Sequence, residues 1–156
     1  NGSGKTTLLH VLVVKLKQKQ NNEQYYIRHA MLDQHVSLLD DDLSIRDNFK
    51  RLQPEATDND CRAALARFMF RADAALQKVS ELSGGERLRA GLACVWGGVQ
   101  APELLILDEP TNHLDIVALQ SVETALNAYE GALLITSHDE AFLSAIGITR
   151  RIQLGV

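Results

Sequence analysis

The chain has 156 residues, with 16 Lys+Arg against 20 Asp+Glu and a formal net charge of −4, so it lacks the broad basic face that sequence-independent nucleic-acid binding calls for. Hydrophobic residues make up 46% and charged ones 23%, proportions that fit a globular domain with one real core. The longest uncharged stretch, 90–102, contains three glycines and falls far short of the roughly 20 apolar residues of a membrane-spanning helix.

The first residues, Asn1-Gly2-Ser3-Gly4-Lys5-Thr6-Thr7, form a glycine-rich turn. From residue 5 to about 18, Leu8, Leu9, Leu12 and Leu16 recur at helical spacing, and Lys15, Lys17 and Lys19 crowd the end where cations suit the helix dipole. Asn21-Asn22 breaks that pattern, and the aromatic and branched residues across 25–32 predict a strand. Asp40-Asp41-Asp42 reads as a solvated acidic turn rather than a metal site. Helices are predicted over 44–52 and 57–70, separated by Pro54, the second starting at Thr57-x-x-Asp60. Another opens after Ser83-Gly84-Gly85 and runs to about Trp96, where Gly97-Gly98 ends it.

Leu104-Leu105-Ile106-Leu107 is a continuous apolar run, as in a strand buried on both faces of a parallel sheet. An amphipathic helix is predicted over 116–129, with Leu119, Val122, Leu126 and Tyr129 on one side. A second buried strand at 132–136, a short helix at 139–146 and a last strand at 150–154 complete the chain. Strands alternating with helices predict an α/β doubly wound architecture. The helical block of about 38–97 is too long for a simple crossover and reads as a lobe inserted in the α/β core. Cys61 and Cys94 form no C-x-x-C pair and sit among apolar helix formers, as small hydrophobes do in a reducing compartment.

Three segments carry chemistry. Gly2-Ser3-Gly4-Lys5-Thr6 matches the second half of G-x-x-x-x-G-K-[ST]. Glycines there let successive backbone N–H groups point at phosphate oxygens, Lys5 would reach the β- and γ-phosphates, and Thr6 would ligate Mg²⁺. The same residues also suit a plain flexible turn before a helix. Asp108-Glu109-Pro110 follows the apolar run, placing two adjacent carboxylates at the carboxyl end of a parallel strand, where ligands bind in open α/β sheets. Asp108 there can hold Mg²⁺, and Glu109 can orient or deprotonate a water; a strand ending in a polar turn would look alike. Leu82-Ser83-Gly84-Gly85-Glu86-Arg87 offers a second anion-binding helix start, or a simple N-cap.

In their order along the chain, these motifs together with Asn112-His113-Leu114-Asp115 and Ser137-His138-Asp139 resemble the ATP-binding cassette (ABC) superfamily over nearly the whole sequence. The run from Asp108 to Asp115, followed by Ser137-His138-Asp139 and Phe142-Leu143, is similar to the ABC-F branch, whose members are soluble twin-cassette ATPases, many of them acting on the ribosome in translation or antibiotic resistance. The resemblance implies a P-loop NTPase core with a helical signature lobe, binding ATP and Mg²⁺ in the cytoplasm. It implies that Asn1, Gly2, Ser3, Gly4, Lys5, Thr6 and Thr7 wrap the triphosphate. It implies that Gln34 touches Mg²⁺ or the attacking water, that Asp108 holds the metal, that Glu109 is the catalytic carboxylate and that His138 contacts the γ-phosphate. Ser83, Gly84 and Gly85 would clasp ATP held by a second cassette, on the same chain or in a dimer, and Asp115 would close the D-loop between them.

The first glycine of the phosphate loop would precede Asn1, so the chain is expected to be one incomplete cassette, 1–156, more like a second (C-terminal) cassette than a first, lacking its N-terminal strands and weak or inactive alone. The competing expectation is the ATPase subunit of a membrane transporter, against which Thr111-Asn112-His113-Leu114-Asp115 argues. His10, His29, His35 and His113 are expected to be surface or packing residues.

Overall fold

The computed structural model describes residues 4–20, 27–112 and 114–153, with the backbone alone described at 17–20. Expectations for Asn1, Gly2, Ser3, Asn21, Asn22, Tyr25, Tyr26, His113 and Leu154, and for the side chains of Lys17 and Lys19, lie outside the described residues. In chain order the elements are α1 (Lys5–Gln20), β1 (His29–Leu32), α2 (Ile45–Leu52), α3 (Asp58–Arg67), two short 3-10 helices (Ala72–Leu76 and Val79–Glu81), α4 (Gly84–Trp96), β2 (Leu104–Asp108), α5 (Ile116–Asn127), β3 (Ala132–Thr136) and α6 (Glu140–Ala145).

The three strands make one parallel sheet in the order β1-β2-β3, with Leu32 opposite Leu107 and Asp108 opposite Thr136. Because side chains alternate across a strand, β2 serves two layers. Leu105 and Leu107 join the main core with Leu32, Phe49, Leu92, Val122 and Phe142. Ile106 is equally buried but lies outside that core, on the side where α1 runs against β2 and buries Leu9. By the same alternation Asp108 falls on the α1 side, and this is what brings it to the start of α1.

Most helix starts are local and legible. Ser44, Thr57, Ser83, Asp115 and Asp139 each accept a hydrogen bond from a first-turn N–H, and Thr57 with Asp60 and Ser83 with Glu86 make reciprocal capping boxes. Buried Asn48 ties the acidic turn to α2, donating to the Asp40 carbonyl at 2.9 Å and accepting the Asp40 N–H at 2.8 Å. Both cysteines are buried, and burial pushes the Cys94 thiol up to about 12, so it is a packing group and not a nucleophile.

The helix predicted from residue 5 is present as α1; of its leucines Leu9 alone is fully buried, while Leu8 and Leu12 stay exposed, and Val11 and Val14 spread apolar surface around the helix, so one contact face cannot cover it. Four expectations are corrected. The predicted strand at 25–32 begins only at His29 among the described residues. Helix α3 stops at Arg67 rather than 70 because Met69 turns left-handed at φ +71. Strand β3 is half-exposed rather than buried, since it is an edge with no further paired strand among the described residues. No strand forms over 150–153: those side chains are exposed, Ile152 included, and Arg151 instead pairs with Glu140.

Candidate active site

Gly4 adopts φ +69, a left-handed conformation, and a Cβ built there would meet nothing within 4 Å among the described residues. The backbone turns there into α1, which has no acidic residue in its first turn to offset its positive end. Lys5 and Thr6 stand in that first turn. The Thr6 hydroxyl donates to Asp108 Oδ2 at 2.8 Å, joining the glycine turn to the end of β2.

Asp108 is 4% exposed, and a carboxylate so buried needs partners. Thr6 supplies one, and the Thr136 hydroxyl, its register neighbour on β3, donates to Oδ1. Glu109 follows in a left-handed conformation, φ +49, which is costly for a non-glycine residue and doubly restricted before Pro110. Its N–H is held by the Thr136 carbonyl at 3.0 Å and by Thr136 Oγ1 at 3.1 Å. The turn sends the two neighbouring carboxylates different ways: Glu109 Oε1 lies 3.3 Å from Lys5 Nζ and 3.4 Å from His138 Nε2. Lys5 Nζ also contacts His138 Nε2, closing a three-membered cluster at the carboxyl edge of the sheet. His138 itself is 70% exposed, beyond the end of β3.

Gln34 sits in the turn after β1. Partial burial works against charge on Asp33, but the Ser37 N–H and hydroxyl and the His35 N–H outweigh it, holding the Asp33 carboxyl below its ordinary range and fixing that turn. A cleft of about 350 Å³ opens between the Gln34 turn, the start of α4 and the segment after β2, with Gln34, Gly84, Arg87, Glu109 and Asn112 among its lining. Arg87 closes one side, donating from Nε to the His35 carbonyl at 2.7 Å and pairing with Asp41 at 2.6 Å. His35, expected to be a surface or packing residue, anchors α4 through its backbone carbonyl.

The remaining candidates are not in the cluster. Ser83 is exposed at the N-terminus of α4, its hydroxyl bonded to Glu86 Oε2 at 2.7 Å. Asp115 caps α5 through the Ala118 N–H at 2.7 Å. Gly85 is required by packing, because a Cβ there would lie 2.5 Å from Ala118 Cβ, an atom fixed to the backbone of α5. Thr7 is exposed on α1. Replacing Ser83 by Ala should cost about 1 kcal/mol of stability, read as a lower urea midpoint. The Ser83 N–H and hydroxyl hold the Glu86 carboxyl below its ordinary 4.5. The part carried by the hydroxyl's bond to the Glu86 carboxylate is present above this pH and lost as the carboxylate protonates, while the bond from the Glu86 N–H to Ser83 Oγ does not titrate, so the gap between wild type and variant should narrow in acid without closing. A gap unchanged from neutral pH into acid would contradict the bond to the carboxylate.

Thr136 and Arg87 escaped sequence reasoning as functional residues. Thr136 looks like any branched strand residue, and its only signal is that β2 and β3 both end in a polar residue at one register position.

The Thr6 hydroxyl and the buried Asp108 carboxylate present hard oxygen donors converging at one point, which fits Mg²⁺. Among the described residues no group of three or more His, Cys, Asp or Glu could hold a metal ion. No helix among them is long and apolar enough to cross a membrane.

The ABC transporter family model matches residues 1–112. YdiF of Bacillus subtilis is 38% identical over 156 residues, covering 99% of this chain and 24% of its own length. ATP-binding protein Uup of Escherichia coli is 36% identical, covering 92% and 23%, and ATP-binding cassette sub-family F member 3 of Mus musculus is 32% identical, covering 94% and 21%. The chain therefore spans about a quarter, or less, of the curated relatives it matches. An inward-facing ABC transporter structure superposes with a TM-score of 0.67 at 21% identity, covering 93% of this chain and 62% of the other, which shows a shared P-loop NTPase fold. With Lys5, Thr6, Asp108, Glu109 and His138 meeting at one edge of a parallel sheet, the chain belongs to the ABC family of ATP-binding domains, and its relatives include members of sub-family F.

Proposed function

We propose that this domain hydrolyses ATP, ATP + H₂O → ADP + phosphate, as one of two cassettes that close around nucleotide and reopen after turnover. The observation that supports it most is the convergence of Thr6 with Asp108 at 2.8 Å beside the Lys5–Glu109–His138 cluster. Backbone N–H groups of residues 1–7 and the positive end of α1 would cradle the phosphates, with Lys5 on the β- and γ-oxygens. Thr6 and Asp108, with Gln34 from across the cleft, would hold Mg²⁺, which when bound neutralises phosphate charge. Glu109 accepts the proton of the attacking water or orients it, and His138 contacts the γ-phosphate. Such a site works by positioning and electrostatics more than by covalent chemistry.

Ser83 and Gly84 are exposed at the start of α4 and Ser83 takes no part in the Lys5 cluster, which supports this segment's serving the nucleotide of a second cassette, with Asp115 nearby at the start of α5. Bound γ-phosphate would then hold the pair closed. Likeness to sub-family F supports the ribosome as the target on which the switch acts, in the cytoplasm.

Two measurements on the full-length gene product test these layers separately. Mg²⁺-dependent phosphate release from ATP is expected, and its absence would contradict the ATPase reading. The hydrolysis-deficient Glu109→Gln protein is expected to co-sediment with ribosomes only when ATP is present, and sedimentation indifferent to ATP would contradict the ribosomal target alone.

A further inference from the structure

The Thr136 hydroxyl makes two contacts that no other side chain among the described residues makes together. It donates its single proton to Asp108 Oδ1, and its oxygen accepts the Glu109 N–H at 3.1 Å. Both follow from register: Thr136 lies directly opposite Asp108 in the parallel β2–β3 pair, so the two side chains share a sheet face. The consequences for the two carboxylates differ. Asp108 Oδ2 already takes the Thr6 hydroxyl, so with Thr136 on Oδ1 both oxygens of a buried carboxylate are satisfied and its plane is fixed. Glu109 sits at the costly φ of +49, and Thr136 grips its N–H twice, through its carbonyl and its hydroxyl.

We infer that Thr136 is a positioning residue of the hydrolytic site, locking Asp108 and the left-handed turn of Glu109 through one hydroxyl. This inference rests on the ATPase reading above. The hydroxyl would act through Asp108 and Glu109, setting where those two residues are held. A residue of this kind matters to the chemical step, where a small misplacement of the reacting groups is costly, and little to the affinity for ATP, which Lys5 and the glycine turn carry.

The test is steady-state ATP hydrolysis and ATP binding by the full-length gene product carrying Thr136→Val, Thr136→Ser or Glu109→Gln. Valine keeps the shape and the strand preference while removing the hydroxyl. Thr136→Val should lower kcat about tenfold or more with KM for ATP changed no more than about twofold, while Thr136→Ser, which keeps the hydroxyl, should stay within about twofold of wild type. A purely structural role would instead lower the fraction of active protein in both variants without separating valine from serine. If Thr136→Val does not fold, Thr136→Ala against Thr136→Ser makes the same comparison. Full kcat in Thr136→Val while Glu109→Gln is inactive would overturn the inference and leave the ATPase reading standing. Full kcat in Glu109→Gln would remove Glu109 from the catalytic role and overturn the inference with it, whereas no turnover in the wild-type protein would contradict the ATPase reading itself.

Discussion

Glu109→Gln is expected to lower ATP turnover by about 10²-fold or more while nucleotide stays bound, the scale of losing a general base. The amide has almost the same shape and can keep the contact to Lys5, so the change removes charge and basicity rather than geometry. The groups assigned to the metal, Thr6 and Asp108, are untouched because their 2.8 Å hydrogen bond lies on the other branch of the turn at Glu109. Binding should even improve slightly. The Lys5 ammonium lies 3.3 Å from the Glu109 carboxylate, and it must give up that partner to reach a phosphate. Phosphate release measured beside equilibrium ATP binding separates the two effects, and normal turnover in the variant would remove Glu109 from the role.

Lys5→Ala should act on the other quantity, weakening ATP binding by about 10- to 10²-fold, as expected for charge-assisted hydrogen bonds to phosphate. Two acidic side chains, Asp108 and Glu109, border the place proposed for the triphosphate, so removing the cation deletes an attraction and leaves repulsion uncompensated. The folded state should hardly notice, since the Lys5–Glu109 pair is partly exposed and such pairs contribute little. Titration with ATP checks this; affinity equal to wild type would contradict a phosphate cradle at Lys5.

The contrast between what sequence alone reveals and what it hides is physical. Helix α4 runs from Gly84 to Trp96 as predicted because its limits are set by neighbours in the chain, the Ser83–Glu86 capping box at one end and Gly97 at the other. Strand β2 is equally plain, as a run of large aliphatics admits few other fates. Lys5, Thr6, Asp108, Glu109 and His138 stand out because each lies in a short motif whose chemistry demands those types, and the structure brings them together. What stays hidden depends on partners distant in sequence. Thr136 matters only because the β2–β3 register sets it beside Asp108, 28 residues away. Burial of β3 was overestimated from its composition because a strand cannot announce that it is an edge. At 150–153 alternating character predicts a strand, but a strand forms only where another offers its hydrogen bonds.

The most direct measurement is a crystal structure of the full-length gene product with Mg²⁺ and a non-hydrolysable ATP analogue. Lys5 Nζ should have left Glu109 for the β- and γ-phosphates, with Thr6 and Asp108 both directed at the metal. Nucleotide bound elsewhere, with the Lys5–Glu109 contact still at 3.3 Å, would contradict the grip on phosphate from which the whole mechanism is built.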